Sequence, residues 1–200
     1  DNYFYLCNNN IKFKNIMLLA SNCLFIKQMI LPKETLIYYN DIGQGNTNLD
    51  NLNHWHWNSF KENKNIVNLF LDKKISFAGL QHEGILYSYD LCNKICNFIK
   101  DNNIFNIIEK ELCFEEIIFA SIETYFCNGM TVKRYCKVYW ENDGYMPTID
   151  NIKSELATSQ SIQTEYFLVK RIPRDTNHNL VKYINVELFK SNGTYEPEFI

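Results

Sequence analysis

The chain is poor in structure-breaking residues: only four prolines and seven glycines occur in 200 residues. It has no block of consecutive Lys and Arg, and its formal net charge is -3. Both argue against a nucleic-acid partner. Its longest strongly apolar run, Ile16 to Ile26, is interrupted by Ser21 and Asn22. That run falls well short of the ~20 residues a membrane-crossing helix requires. The first residues show no charged start, apolar middle and small-residue cleavage site. The expectation is a cytoplasmic protein without a transmembrane segment, which leaves a peripheral membrane contact open. The seven cysteines, Cys7, Cys23, Cys92, Cys96, Cys113, Cys127 and Cys136, are odd in number and contain no Cys-x-x-Cys. A disulfide framework is therefore not expected, and buried reduced thiols are. Cys92 and Cys96 lie one helical turn apart, so shared metal binding stands as the alternative.

What is present is enough for a core. The chain is 46% hydrophobic and 15% aromatic, which excludes a disordered or low-complexity protein. Its length suits a single domain over 1–200, or a large piece of one. Asn15 to Lys27 reads as a buried strand, a polar corner at Ser21-Asn22 and a second short extended piece, in a sheet covered on both faces. Asn40 to Asn53 is a polar loop. Phe60 to Asp72 reads as a helix, Ile75 to Leu80 as a short strand, and Leu86 to Phe98 as a segment with Leu91, Ile95, Phe98 and Ile99 on one helical face. Asp90 would cap or open that helix. Ile117 to Phe126 is a further helix, Val132 to Trp140 alternates like a strand, Tyr166 to Val169 is another strand, and Asn177 to Phe189 has helical spacing. Strands mixed with helices predict an α/β fold.

Four constellations carry chemistry. In CFEEIIFASI, Glu115 and Glu116 precede an apolar run. Acids suit the first turn of a helix, because the helix dipole favours their charge. Alternatively one of them faces a partly dry cleft, where burial raises its pKa and makes it a better base. In YFLVKRIPRD, Lys170, Arg171 and Arg174 crowd the end of a strand, stiffened by Pro173. They make either a clamp for a diphosphate or a solvated basic corner that pairs with Asp175. In HWHW, Trp55 and Trp57 would share one face as a stacking platform for a sugar or base. The alternative is core tryptophans with His54 and His56 at a loop edge. In QHEG, His82 and Glu83 would contact hydroxyl groups at a strand end, or form a polar turn closed by Gly84.

Three segments in order resemble a known family. LLASNCLFIK, Leu18 to Lys27, resembles the central strand-and-corner of the core-2/I-branching β-1,6-N-acetylglucosaminyltransferases and their bacterial relatives. EGILYSYDLCNKICNFI, Glu83 to Ile99, resembles the strand and helix that come next. FEEIIFASI, Phe114 to Ile122, is similar to the family's acidic motif, with Phe114 where that motif has Pro, Ser121 where it has Thr, and Cys23 replacing an acid in the corner. The resemblance implies a GT-A-like mixed sheet flanked by helices and an inverting, metal-independent transfer of a sugar, N-acetylglucosamine being the family's. The partners it implies are a nucleotide-sugar donor and a glycan or glycolipid acceptor. It places the catalytic base at Glu116, with Glu115 at the preceding acid, and no metal or other cofactor. The chain has no Asp-x-Asp, and Glu141-Asn142-Asp143, the nearest imitation, reads as a turn. Only some fifteen residues precede LLASNCLFIK, whereas the family has a nucleotide-binding stretch there. A fragment of a longer product is the corresponding expectation. The alternative function is a noncatalytic carbohydrate-binding or assembly protein that keeps HWHW and QHEG as a sugar surface.

Overall fold

A computed structural model describes residues 5–6, 8–9, 11–27, 37–38, 58–79, 81–108, 115–128, 131–132, 134–139, 144, 146–157 and 166–188. The chain is mixed α/β. It divides into two compact units, the first from 1–16, 34–82 and 86–133, the second from 17–33, 83–85 and 134–200.

The strands of the first unit are β1 (Asn15–Met17, of which Met17 is counted with the second unit), β3 (Ile37–Tyr38), β4 (Leu86–Ser88) and β5 (Thr131–Val132); β1 pairs with β4, and β3 pairs antiparallel with β5. Its helices are α1 (Asn58–Glu62), α2 (Lys64–Asp72), α3 (Tyr89–Asp101), α4 (Ile104–Ile107) and α5 (Glu115–Phe126). The expected helix over 60–72 is thus two helices. Asn63 separates them because its side chain accepts from the Ile66 N–H at 3.3 Å, an N-cap that starts α2 afresh. α2 then buries Ile66, Val67 and Phe70, and the rings of Phe60, Phe70 and Phe77 cluster with centroids 5.8–5.9 Å apart. α3 is opened by Ser88, whose hydroxyl accepts from the Leu91 N–H at 3.3 Å, while Asp90 lies in the first turn and not at the cap. Leu91, Cys92, Ile95 and Ile99 face inward, and Phe98, expected among them, is half-buried against Tyr125 and Phe126.

The strand expected at Ile75 to Leu80 does not form over 75–79. Ile75, Phe77, Ala78 and Gly79 are buried and Ser76 is exposed, but the Ala78 backbone finds a side chain instead of a ladder. The Ser121 hydroxyl accepts from the Ala78 N–H at 2.9 Å and donates to the Ala78 C=O at 3.1 Å. One hydroxyl on α5 thereby satisfies both groups that would have joined a sheet. α5 is the buried element of this unit: Ile117, Ile118, Ala120, Ser121, Ile122, Glu123 and Thr124 are all enclosed. A helix buried on nearly every side needs partners for its polar residues. Thr124 donates to the Ala120 C=O at 2.7 Å, and Glu123 is treated below.

The second unit holds a three-stranded sheet in the order β2 (Cys23–Phe25), β7 (Leu168–Lys170), β6 (Cys136–Val138). β7 runs antiparallel to β2 and parallel to β6. The corner expected at Ser21-Asn22 is a turn, and β2 follows it directly. β1 and β2 are half-buried along their whole length, not covered on both faces as their apolar run suggests. The reason is sheet size: neither belongs to a sheet of more than three strands among the described residues. The alternating segment Val132 to Trp140 is broken, because Val132 joins β3 while Cys136–Val138 joins β7.

Helix α6 (Ile149–Ala157) was not foreseen; Thr148 and Asn151 open it with reciprocal bonds, Thr148 N–H to Asn151 Oδ1 at 2.8 Å and Asn151 N–H to Thr148 Oγ1 at 3.2 Å. The expected helix near the end is α7 (Asn179–Lys182), capped by His178 Nδ1, and it widens into a π-helical segment, Tyr183–Leu188. Ile152, Val169, Ile172, Leu180 and Ile184 form the centre of this unit's core, with Ile26 and Tyr139.

Gly84 is a required glycine in this unit. Its φ is +77°, and a Cβ there would lie 2.5 Å from both Cβ and backbone N of Cys136. Gly144 has nearly the same φ, +79°, but nothing within 4 Å. Gly84→Ala is therefore expected to cost about 2–5 kcal/mol, left-handed backbone strain plus overpacking, and Gly144→Ala only the strain, about 1–2 kcal/mol. Urea midpoints of the two variants check this, and equal losses would remove the close approach as the cause.

Candidate functional site

The second unit gathers several of the residues singled out in the sequence. Leu168 and Val169 of β7 are fully buried, and Lys170 reaches the strand's half-buried end. Arg171 then takes a left-handed backbone, φ +72°. That turn lets the buried Ile172 donate its N–H to the Asn22 C=O at 3.0 Å, which fastens the basic segment to the polar corner. Arg174 Nη2 donates to Ser21 Oγ at 2.9 Å on the exposed side of the same corner. The β2–β7 register sets Cys23 opposite Lys170.

Lys170 is not an isolated cation. Its Nζ donates to Glu83 Oε1 in an ion pair whose side chains are 17% and 19% exposed. Glu83 is carried there by the turn at Gly84, whose C=O accepts from the Tyr135 N–H at 2.8 Å beside the Ile85–Arg134 bridge. The QHEG segment is thus a turn, as one of its two readings had it, and its acid meets the basic segment. Glu83 Oε2 is buried without a hydrogen-bond partner among the described residues. A half-buried pair of this kind is electrically neutral, and deleting one partner strands the other charge. Of the three expected diphosphate cations, Lys170 is already compensated, Arg171 is half-buried, and Arg174 is exposed.

Two thiols complete the cluster, and sequence reasoning missed their meeting. The Cys23 and Cys136 thiols influence each other, and Cys136 Sγ donates to the Lys137 C=O at 3.7 Å. The Cys136 thiol, aided by the Ala20 backbone, holds the Cys23 thiol below its ordinary range against the opposing effect of burial. Cys136 is driven well above its range, first by the Cys23 thiol and then by burial. Their only visible signal was that Cys23 stood where the resembled family has an acid.

The other expected site residues lie in the first unit or outside the described residues. Glu115 and Glu116 begin α5, so the first-turn placement is correct. Glu116 is half-buried, and the two residues after it, Ile117 and Ile118, are enclosed. His82 is buried with its ring edge-on to Phe119, centroids 5.5 Å apart. Trp55 and Trp57, with His54 and His56, lie outside the described residues, as do the stretch 40–53 expected as a loop and the Glu141-Asn142-Asp143 stretch expected as a turn.

The first unit also contains an acid that attracted no notice in the sequence. Glu123 is fully enclosed; Oε2 accepts from the Tyr87 hydroxyl at 2.7 Å and Oε1 from the Val132 N–H at 2.6 Å. Burial, then the Glu123 carboxylate, hold the Tyr87 phenol well above its ordinary pKa, and the same two causes push the Cys127 thiol up to about 11. An acid inside the apolar run FASIETYF was the available signal. The conspicuous pair at its start drew the chemistry elsewhere.

Cys92 and Cys96 sit with their sulfurs 4.0 Å apart on α3. Among the described residues no group of three or more His, Cys, Asp or Glu is arranged to hold a metal ion, and no helix is long and apolar enough to cross a membrane. No protein-family model, no curated protein and no solved structure matches the chain.

Proposed function

We propose that the chain is a glycosyltransferase or a part of one, moving a sugar from a nucleotide diphosphate donor to a glycan or glycolipid hydroxyl with inversion. In this reading the scaffold is GT-A-like, the setting is cytoplasmic, and no metal is needed because side-chain cations neutralise the leaving diphosphate. Glu116 deprotonates the acceptor hydroxyl. The observation that carries the reading is the fastening of the Lys170–Arg174 segment to the Ser21-Asn22 corner, by Ile172 to Asn22 and by Arg174 to Ser21. The first is the expected diphosphate clamp and the second lies in a segment that resembles the sugar transferases, and their juncture supplies an exposed guanidinium beside a hydroxyl. Arg offers a fork of donors suited to phosphate oxygens.

The test is calorimetric binding of a uridine diphosphate-type nucleotide. Arg174→Ala should weaken it by about 1.5–3 kcal/mol, the usual value of a charge-assisted hydrogen bond. Arg171→Gly removes the other guanidinium while suiting the left-handed backbone at that position, and should weaken binding to a similar degree. Unchanged affinity in both variants would remove the clamp. A second reading is favoured by the Glu83–Lys170 pair. A neutral pair with a spare carboxylate oxygen suits sugar hydroxyls better than an anion, as in a noncatalytic carbohydrate-binding or assembly protein. Binding of a free glycan without any nucleotide affinity would select it.

A further inference from the structure

We propose that Cys92 and Cys96 form a two-thiolate site for a soft monovalent metal ion of the copper(I) class. The inference does not depend on the sugar-transfer reading, and it concerns residues of the first unit that the reading leaves unused. Both cysteines lie on α3, one turn apart, with their sulfurs 4.0 Å from each other. Two metal–thiolate bonds at the zinc length of about 2.3 Å place the sulfurs about 3.8 Å apart around a tetrahedral ion and about 4.6 Å apart around a linear one. The observed separation falls between the two, so both sulfurs reach one ion by small side-chain adjustments and with the helix unchanged. The pair stands at the edge of the buried face. Cys92 is enclosed, as are Leu91 and Ile95, whereas Cys96 is half-buried. The next positions around the helix, Asn93 and Asn97, bond to each other at 2.9 Å on the solvent side. An ion therefore enters past Cys96.

The helix explains why this pair is a ligand set and not a disulfide. Side chains one turn apart have Cβ atoms about 5–6 Å apart, whereas a disulfide requires about 3.5–4.5 Å. Closing an S–S bond would distort α3 over a turn whose Leu91, Ile95 and Ile99 are packed in the core. The ligand count selects the ion. Protein zinc sites use three or four side-chain ligands, and among the described residues no group of three His, Cys, Asp or Glu is arranged to supply them. Thiolates select soft ions such as copper(I), for which two sulfurs complete a linear coordination. Cys92 beside it also holds the Cys96 thiol below its ordinary range, against the opposing effect of burial. On binding, each thiol releases its proton to solvent and two sulfur–copper bonds form. The copper enters and stays monovalent, so no electron is transferred.

The experiment supplies one equivalent of copper(I), as its acetonitrile complex under nitrogen, to the whole reduced chain. Affinity is read by competition with bathocuproine disulfonate, and the metal's neighbours by X-ray absorption. Copper should be bound by two sulfurs. Cys92→Ser and Cys96→Ser should each lower the affinity about a hundredfold, one ligand's share of the binding free energy of a structural thiolate site, and Cys127→Ser should leave it unchanged. In the unaltered chain, copper should slow iodoacetamide labelling of Cys96 about tenfold or more, because a coordinated thiolate is no longer a free nucleophile, while labelling of the half-buried Cys23 keeps its rate. Equal affinity in Cys96→Ser and the unaltered chain would overturn the proposal, as would protection of Cys23 in place of Cys96. So would a Cys92–Cys96 cross-linked peptide lacking two hydrogens after mild oxidation of the folded chain. The labelling rates in the unaltered chain stand as a test even if a serine variant does not fold.

Discussion

Glu116→Gln is expected to lower kcat for sugar transfer by about 10²–10⁴-fold, the usual contribution of a general base, while donor affinity and circular dichroism stay near those of the unaltered chain. The expectation rests on the proposed function and on where the residue sits. Glu116 is the second residue of α5, half-buried, and the helix it opens encloses Ile117 and Ile118. In the proposed reading its carboxylate takes the proton of the acceptor hydroxyl as that oxygen attacks the donor sugar. Gln keeps the shape and some hydrogen bonding but cannot take the proton. Glu115→Gln should cost far less, because its role in this reading is the electrostatics of the helix start. A dead Glu115→Gln beside a normal Glu116→Gln would shift the base by one residue. Full turnover in both would leave the acids as a helix start and nothing more.

The second large effect concerns stability. Glu123→Ala should destabilise the chain by about 2–6 kcal/mol, since it strands two buried donors at about 1–3 kcal/mol each. Those donors are the Tyr87 hydroxyl and the Val132 N–H. Glu123→Gln should fall between, because an amide accepts one of the two bonds and turns an N–H toward the other donor. Tyr87→Phe removes one donor and leaves Glu123 Oε2 without it while the Val132 bond to Oε1 remains, so its cost should be smaller than that of Glu123→Ala, which strands both donors. Urea unfolding followed by circular dichroism measures all three. If Glu123→Ala unfolds at the same urea concentration as the unaltered chain, the buried carboxylate is not holding β5 to the helix.

The glycosyltransferase reading and the Glu123 network bear differently on α5. Its first turn presents the proposed base, and its middle is a structural core in which Ser121, Glu123 and Thr124 each have a partner. Variants in the middle of the helix are expected to alter unfolding, and variants in its first turn are expected to alter turnover. This division makes the two predictions independent of each other.

Local features were determined by the sequence alone. The Ser21-Asn22 corner, the helix over Ile117 to Phe126, the inward Leu91, Ile95 and Ile99 of α3 and the position of the EE pair at the start of α5 all follow from short-range rules: turn chemistry, helical periodicity and the preference of acids for helix starts. So does the mixed α/β class. The tertiary structure alone decided what those pieces meet. Lys170 and Glu83 are 87 residues apart, and no periodicity announces that a basic strand end will find its counter-charge in a glycine turn. Cys23 and Cys136 come into one sheet because β2 and β6 flank the same strand. The 75–79 stretch has a strand's composition, but its Ala78 backbone bonds to the Ser121 hydroxyl. Burial, too, is a property of neighbours: Glu123 reads as an exposed acid until Tyr87 and Val132 enclose it. Short-range rules act through bonds a few residues long, whereas pairing and desolvation depend on which surfaces the folded chain brings together.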